Sequence, residues 1–447
     1  MTNHMRVALS WISAACAGGL CLAPLQAHPV LTFSVASHVE PAPGQAQKPT
    51  DDNFPLTVVL GHQFLSTEAK GRRTIYDFER RRILRLDLQA KTFEDDSLFS
   101  DIGFRVLEFY NRIGLGSMLR SAKVTGPSSD TALVEHLFSL TDGKNNSVID
   151  ISKTHEGTTV YRWQQQTLLT VSDRTRKLPT DYQAEYWRFF RYYAGGHPKI
   201  LDSMALIKGA PEKTTIVLYN FKTETRTMTL NGIASSPDAP YSLDGFVSKM
   251  PDREPYESLS MVGADAPQAL QARVAAALKD RDTAFAQGRY LDAFLANDEA
   301  SLSTGDANMD WLRSVKDKMN GDAQVLKLAG ALAKHDSTQA PRIAEDLASL
   351  RALSPTYADV LDIFEGNTRL ELRQAAQGEQ LLLAAVKQDP YLTGAWHDLA
   401  DMYYRSFRMP EAWSCMDVAR RIAPNHPMLK PMNDLEETLR TKNPEFF

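Results

Sequence analysis

The stretch YLTGAWHDLADMYYRSFRMPEAWSCMDVARRIAP, Tyr391 to Pro424, decides the fold. Trp396, Leu399, Ala400 and Tyr403 stand at offsets of 0, 3, 4 and 7, which places them on one face of a helix. Met409 and Pro410 break that pattern, and Ala412, Met416 and Ala419 form a second face at spacings of three and four. Pro424 closes the unit, 34 residues after Pro390.

That period and residue order resemble the tetratricopeptide repeat (TPR) family, whose unit is a pair of antiparallel helices. Working outward, helical periodicity runs almost without a break from Ala266 to the end of the chain. A first unit spans 268–304, with Ala284, Gly288, Tyr290, Ala293 and Ala300 at the turn and second helix, and Trp311 to Met319 reads as an insertion. A second, looser unit lies near 323–355, and a third over 356–390 has Asp362 and Glu365 where large apolar residues are expected. Residues 427–439 read as a capping helix, because a terminal repeat must hide its apolar face. The resemblance implies an all-α solenoid over 268–441, with an inner groove built by the first helix of each pair and suited to a protein partner. In the fourth unit Asp398, Asp401, Met402 and Arg405 lie off the packing face and are the expected groove contacts, set against ordinary solvation.

The texture before residue 235 differs. Alternation of Ile83, Arg85 and Asp87 with Leu84, Leu86 and Leu88 is the period of a half-buried strand. Strand patterns also occur at 56–61, 73–78, 91–93, 133–140, 147–152, 158–163, 166–172, 214–221 and 226–231, and helical ones at 104–119 and 182–193. Residues 55–234 therefore read as an α+β domain, an antiparallel sheet of roughly six to nine strands with a few helices. The phrase from Ile75 to Phe93 resembles the strand–turn–strand repeat of LolA-like periplasmic domains, which implies a curved sheet around an apolar cavity. Residues 28–54, with Pro29, Pro41, Pro43 and Pro49, read as a flexible linker, and 235–267, with five more prolines, as the connection between domains.

Arg6 followed by the apolar run Val7 to Leu22, Pro24 and Ala27 reads as a signal peptide over 1–27. Lipidation at Cys16 or Cys21 fits less well, since Leu20 precedes Cys21 where a small residue is needed. Cleavage after Ala27 leaves one cysteine, Cys415, so no internal disulfide forms. Export with a TPR array resembles a periplasmic protein. A net charge of −5 gives nucleic-acid binding no support.

No catalytic pattern emerges. The histidines show no pair at i, i+3 or i, i+4, Glu94–Asp96 lacks a calcium-loop pattern, and Gly114-x-Gly116 is no phosphate loop. No cofactor, metal or catalytic residue is expected. The aromatic cluster Tyr182 to Tyr193 reads as a ligand-pocket wall or as a helix buried on the sheet. Arg80, Arg81, Arg82 and Arg85, with Arg72 and Arg73, read as a dock for an acidic partner or lipid head groups, or as a solvated strand edge. The sequence thus points to an exported, non-enzymatic scaffold holding a protein in a TPR groove. A carrier of lipid or acyl chains in the sheet domain is the alternative, separable by whether the sheet's inner face encloses an empty apolar cavity.

Overall fold

The fold was read from a computed structural model. It is described for residues 27–41, 46–122, 130–143, 147–236, 241–333 and 338–447; the expected signal peptide lies outside them, Ala27 apart. A large, mostly antiparallel sheet comes first and an all-helical region follows.

The first six strands form a meander: β1 (His28–Glu40), β2 (Thr50–Leu60), β3 (Phe64–Ala69), β4 (Arg72–Asp77), β5 (Arg82–Asp87) and β6 (Thr92–Ser97). Then come the helices α1 (Leu98–Ser121) and α2 (Thr131–Phe138) and the strands β7 (Asp150–Lys153), β8 (Thr158–Trp163) and β9 (Gln166–Ser172). Short β10 (Thr175–Arg176) and β11 (Ala210–Pro211) pair with each other around α3 (Gln183–Tyr193) and α4 (Pro198–Ala205). Next are β12 (Lys213–Tyr219), β13 (Thr223–Ser236), β14 (Val247–Ser248) and α5 (Tyr256–Leu259). The large sheet has twelve strands in the order β14-β6-β5-β4-β3-β2-β1-β13-β12-β9-β8-β7, and β14 joins it parallel to β6.

Three expectations for this half are corrected. Residues 28–40 and 50–54 are strand, not linker, the latter extending the strand expected from Leu56, and β1 lies in mid-sheet between β13 and β2. Leu31, Phe33 and Val35 are buried while Thr32, Ser34 and Ala36 face solvent, the alternation that burying one sheet face demands. Residues 131–138 form a helix in place of a strand. Ala132 to His136 are buried in succession, the polar Glu135 and His136 included, and a segment enclosed on all sides has no period to betray it. From residue 241 on, the expected connection is packed chain: Tyr241, Leu243 and Phe246 cover Phe64, Ile75, Leu84 and Leu86, a small core on the sheet's second face.

The helical region comprises α6 (Ala266–Ala286), α7 (Tyr290–Thr304), α8 (Met309–Met319), α9 (Ala323–Leu332), α10 (Ala340–Leu353), α11 (Ala358–Glu371), α12 (Ala375–Gln388), α13 (Thr393–Arg405), α14 (Met409–Ile422) and α15 (Lys430–Lys442). Local chemistry sets several ends. The Asp322 carboxylate accepts from the Gln324 and Val325 N–H groups at 2.9 Å, capping α9. Gly305 ends α7 at φ 80°, where a Cβ would also collide with Pro427 at 2.2 Å. Gly305→Val is therefore expected to lower stability by about 2–4 kcal/mol, read as a shift of the urea midpoint.

Consecutive helices pack as pairs, α6 with α7, α9 with α10, α11 with α12 and α13 with α14. The first pair does not stay at one end of an open stack. α7 contacts α9, α11 and α13, and α6 reaches α14. Nor are the two halves separate bodies. One continuous core joins β1, β2, α1 and α3 to α12–α15. Arg82 of β5 bonds Asp417 of α14 at 2.6 Å, and the C-terminal Phe446 is fully buried against α3.

Candidate functional site

α13 carries the residues that the sequence singled out. Trp396, Leu399, Ala400 and Tyr403 are fully buried, and the Trp396 indole N–H donates to the Pro390 carbonyl at 2.9 Å. Gly394, Asp398, Asp401 and Arg405 follow at offsets of 0, 4, 7 and 11 on another stripe of the same helix. Along this stripe the first turn is covered: the Thr393 hydroxyl donates to the Ser303 carbonyl at 3.0 Å, and Leu302 lies against Gly394. Asp398 is half-buried and accepts from Asn367 of α11 at 2.7 Å. Asp401 and Arg405 are exposed and paired with each other at 2.8 Å. Met402 departs from expectation. It is 6% exposed and belongs to the main core.

The basic stretch is largely neutralised. Arg82 pairs with Asp95 and Asp417, Arg73 with Glu68, and Arg85 with Asp96. The aromatic helix α3 is a core helix, with Tyr186, Phe189 and Phe190 buried and Phe189 stacked on Phe33 at 5.9 Å. Cys415 is buried too, and burial raises its thiol well above the usual range, the behaviour of a packing residue.

Folding also assembles groups that spacing could not reveal. His197 Nε2 lies 3.0 Å from Glu135, and its backbone N–H donates to His136 Nδ1 at 2.9 Å. Burial, then the neighbouring His197, push His136 down to about 3, so it stays neutral. The three fasten α2 to the loop before α4, 61 residues apart in the case of the histidines. His62 stacks on Tyr182 at 4.4 Å and bonds Glu185 at 3.0 Å. Among the described residues no group of three or more His, Cys, Asp or Glu side chains is placed to hold a metal ion. None of their helices is long and apolar enough to cross a membrane. A polar cleft of about 250 Å3 opens where the sheet edge meets the helices, lined by Arg82, Asp95, Lys249, Tyr256, Asp417 and Arg421.

No protein family model and no curated protein matches the chain. A solved structure titled "lipid-protein interactions in lipovitellin" is similar over 93% of this chain and 54% of its own, at 12% identity and a TM-score of 0.18. The chain thus spans about half of that protein. So slight a likeness bears on neither fold nor function.

Proposed function

We propose that the chain is an exported scaffold that holds a protein partner through the first helices of TPR-like pairs. The observation that carries this reading is the α13 stripe. Its packing residues are buried as a TPR unit requires, while the Asp401–Arg405 end stays open and charged. The exposed ion pair there contributes little to stability, so its charges are available for exchange with a partner. The filled apolar face of the sheet, closed by Phe33, Tyr186, Phe189 and Phe190, favours a scaffold over a lipid carrier.

Native mass spectrometry of the chain purified gently from its own periplasm tests this. The expected result is a bound polypeptide that is absent from a D401K/R405E double variant of unchanged thermal midpoint. A lipid-sized mass that leaves on delipidation would overturn the reading.

A further inference from the structure

We infer that the α6–α7 hairpin is a built-in occupant of the inner face formed by α9, α11 and α13, and that it loosens when the seam carboxyls Glu299, Asp359 and Asp389 ionise. This rests on the partner-holding role proposed above and names what competes for the same surface.

The helices that α7 touches, α9, α11 and α13, are the first members of the three pairs that follow it, the positions a ligand would line in a TPR groove. α7 fits this place through small residues. Ala293 and Ala296 are fully buried and Ala300 nearly so, which lets its backbone come close. Leu295 joins Leu328 of α9 and Leu361 of α11 in a second core.

The seam is unbalanced in charge. Glu299 comes from α7, Asp359 from the start of α11 and Asp389 from the end of α12, and Arg273 of α6 bonds Asp389 at 2.8 Å. The charged groups acting on Glu299 are Asp359, Asp389, Arg273 and Asp280. Asp362, which also acts on Asp359, is held by Arg351 of α10. From α13 and the turn after α14, His397, Asp398 and His426 face the Leu302 end of α7. Burial pushes Glu299 up to about 7 and Asp359 to about 6, each raised further by the neighbouring carboxylates, and burial raises Asp389 as well.

The direction follows. These groups hold protons in the docked state that they would surrender in water, so docking is fully favoured below about pH 4 and weakens as pH rises through 6 to 7. Above that range four carboxylates, Glu299, Asp359, Asp389 and Asp280, face the one guanidinium of Arg273 across the seam.

Hydrogen exchange of the full chain at pH 5 and pH 8, corrected for intrinsic rates, reads this. Amides of residues 266–304 are expected to lose protection about tenfold or more at pH 8 while α3 does not change, and E299Q and D359N are each expected to reduce the difference, the remainder coming from the other seam carboxyl and from Asp298 of α7, which burial also raises to about 7. Equal protection at both pH values, or parallel loosening of α3, would overturn the inference. A labelled synthetic peptide of residues 290–304 carrying Glu299→Gln, which is spared the ionisation cost that the hairpin's own Glu299 pays, separates the two layers. It should bind the chain at pH 8 at least about tenfold more tightly than at pH 5. Loosening of the hairpin without peptide binding would sink the groove as a docking surface and leave the hairpin release standing. Peptide binding equal at both pH values would sink the release.

Discussion

Phe446→Ala is expected to lower the unfolding free energy by about 3–5 kcal/mol, the range for deleting a fully enclosed aromatic ring. The residue stands second from the end of the chain, where fraying is the usual rule. Here its ring meets Tyr192 edge-on at 5.4 Å, and its carbonyl accepts from the Tyr192 hydroxyl at 2.6 Å. The guanidiniums of Arg105 and Arg191 lie 5.6 and 5.4 Å from the ring centre. Removing the ring therefore empties a site framed by α1 and α3 and strips two cations of their aromatic face. Because that site lies between the sheet's helices and the C-terminal end of the helical region, the loss should appear in α3 and α14 together. Urea unfolding gives the magnitude, and hydrogen exchange shows whether the two regions respond as one. Phe447→Ala, whose half-buried ring touches Phe99 at 5.3 Å, is the comparison and should have a much smaller effect. A loss below about 1 kcal/mol for Phe446→Ala would mean the tail does not clamp the halves.

The pairing of helices at the C-terminal end was legible because it is written locally. Trp396, Leu399 and Tyr403 repeat at helical spacing, Pro410 stands at the start of the next helix, and α13 and α14 begin and end within a few residues of where these signals fall. In the sheet half, β4, β5, β8 and β9 lie where short runs rich in Ile, Val, Leu, Thr and Tyr predict strands, although β5, β8 and β9 bury residues on both faces. β1 shows how composition misleads. Its Leu31, Phe33 and Val35 alternate as plainly as those of any other strand, but the prolines around it read as linker. Proline interrupts a ladder only at its own N–H, and Pro29 and Pro55 sit on strands that pair regardless.

The site was less legible than the fold. Asp398, Asp401 and Arg405 were placed off the packing face by periodicity alone, and that much concerns a single helix. Whether such a stripe meets water depends on elements distant in sequence. Met402 is enclosed by the wider core, and the Gly394 end is covered by α7, some 90 residues earlier. The acidic seam was hidden for the same reason. Asp362 and Glu365 looked like faults in the third repeat, yet both bond Arg351 of α10, and their neighbour Asp359 faces Glu299 only because the first hairpin returns onto the others. No local period encodes a contact of that kind.

The seam between α1 and α14 supports the second large prediction. Gly103 of α1 lies so close to Trp413 of α14 that a Cβ there would meet the indole at 2.6 Å, and Trp413 is fully buried with its N–H donating to Glu436 at 2.8 Å. Trp413→Ala should lower stability by about 3–5 kcal/mol through the cavity it leaves and the hydrogen bond it removes. Gly103→Leu alone should lower it by about 1–3 kcal/mol, since the indole has no room to yield. Combined, the two should not add. The leucine enters the space the indole vacated and replaces a helical glycine, which alone is worth about 1 kcal/mol. The double variant is therefore expected to be more stable than Trp413→Ala, with a coupling of at least about 1 kcal/mol in the double-mutant cycle. Additive losses in urea unfolding would show that α1 and α14 do not share this site. A coupling of the expected sign would show that the sheet half and the helical half unfold through a common interface, because each residue of the pair belongs to a different half of the chain.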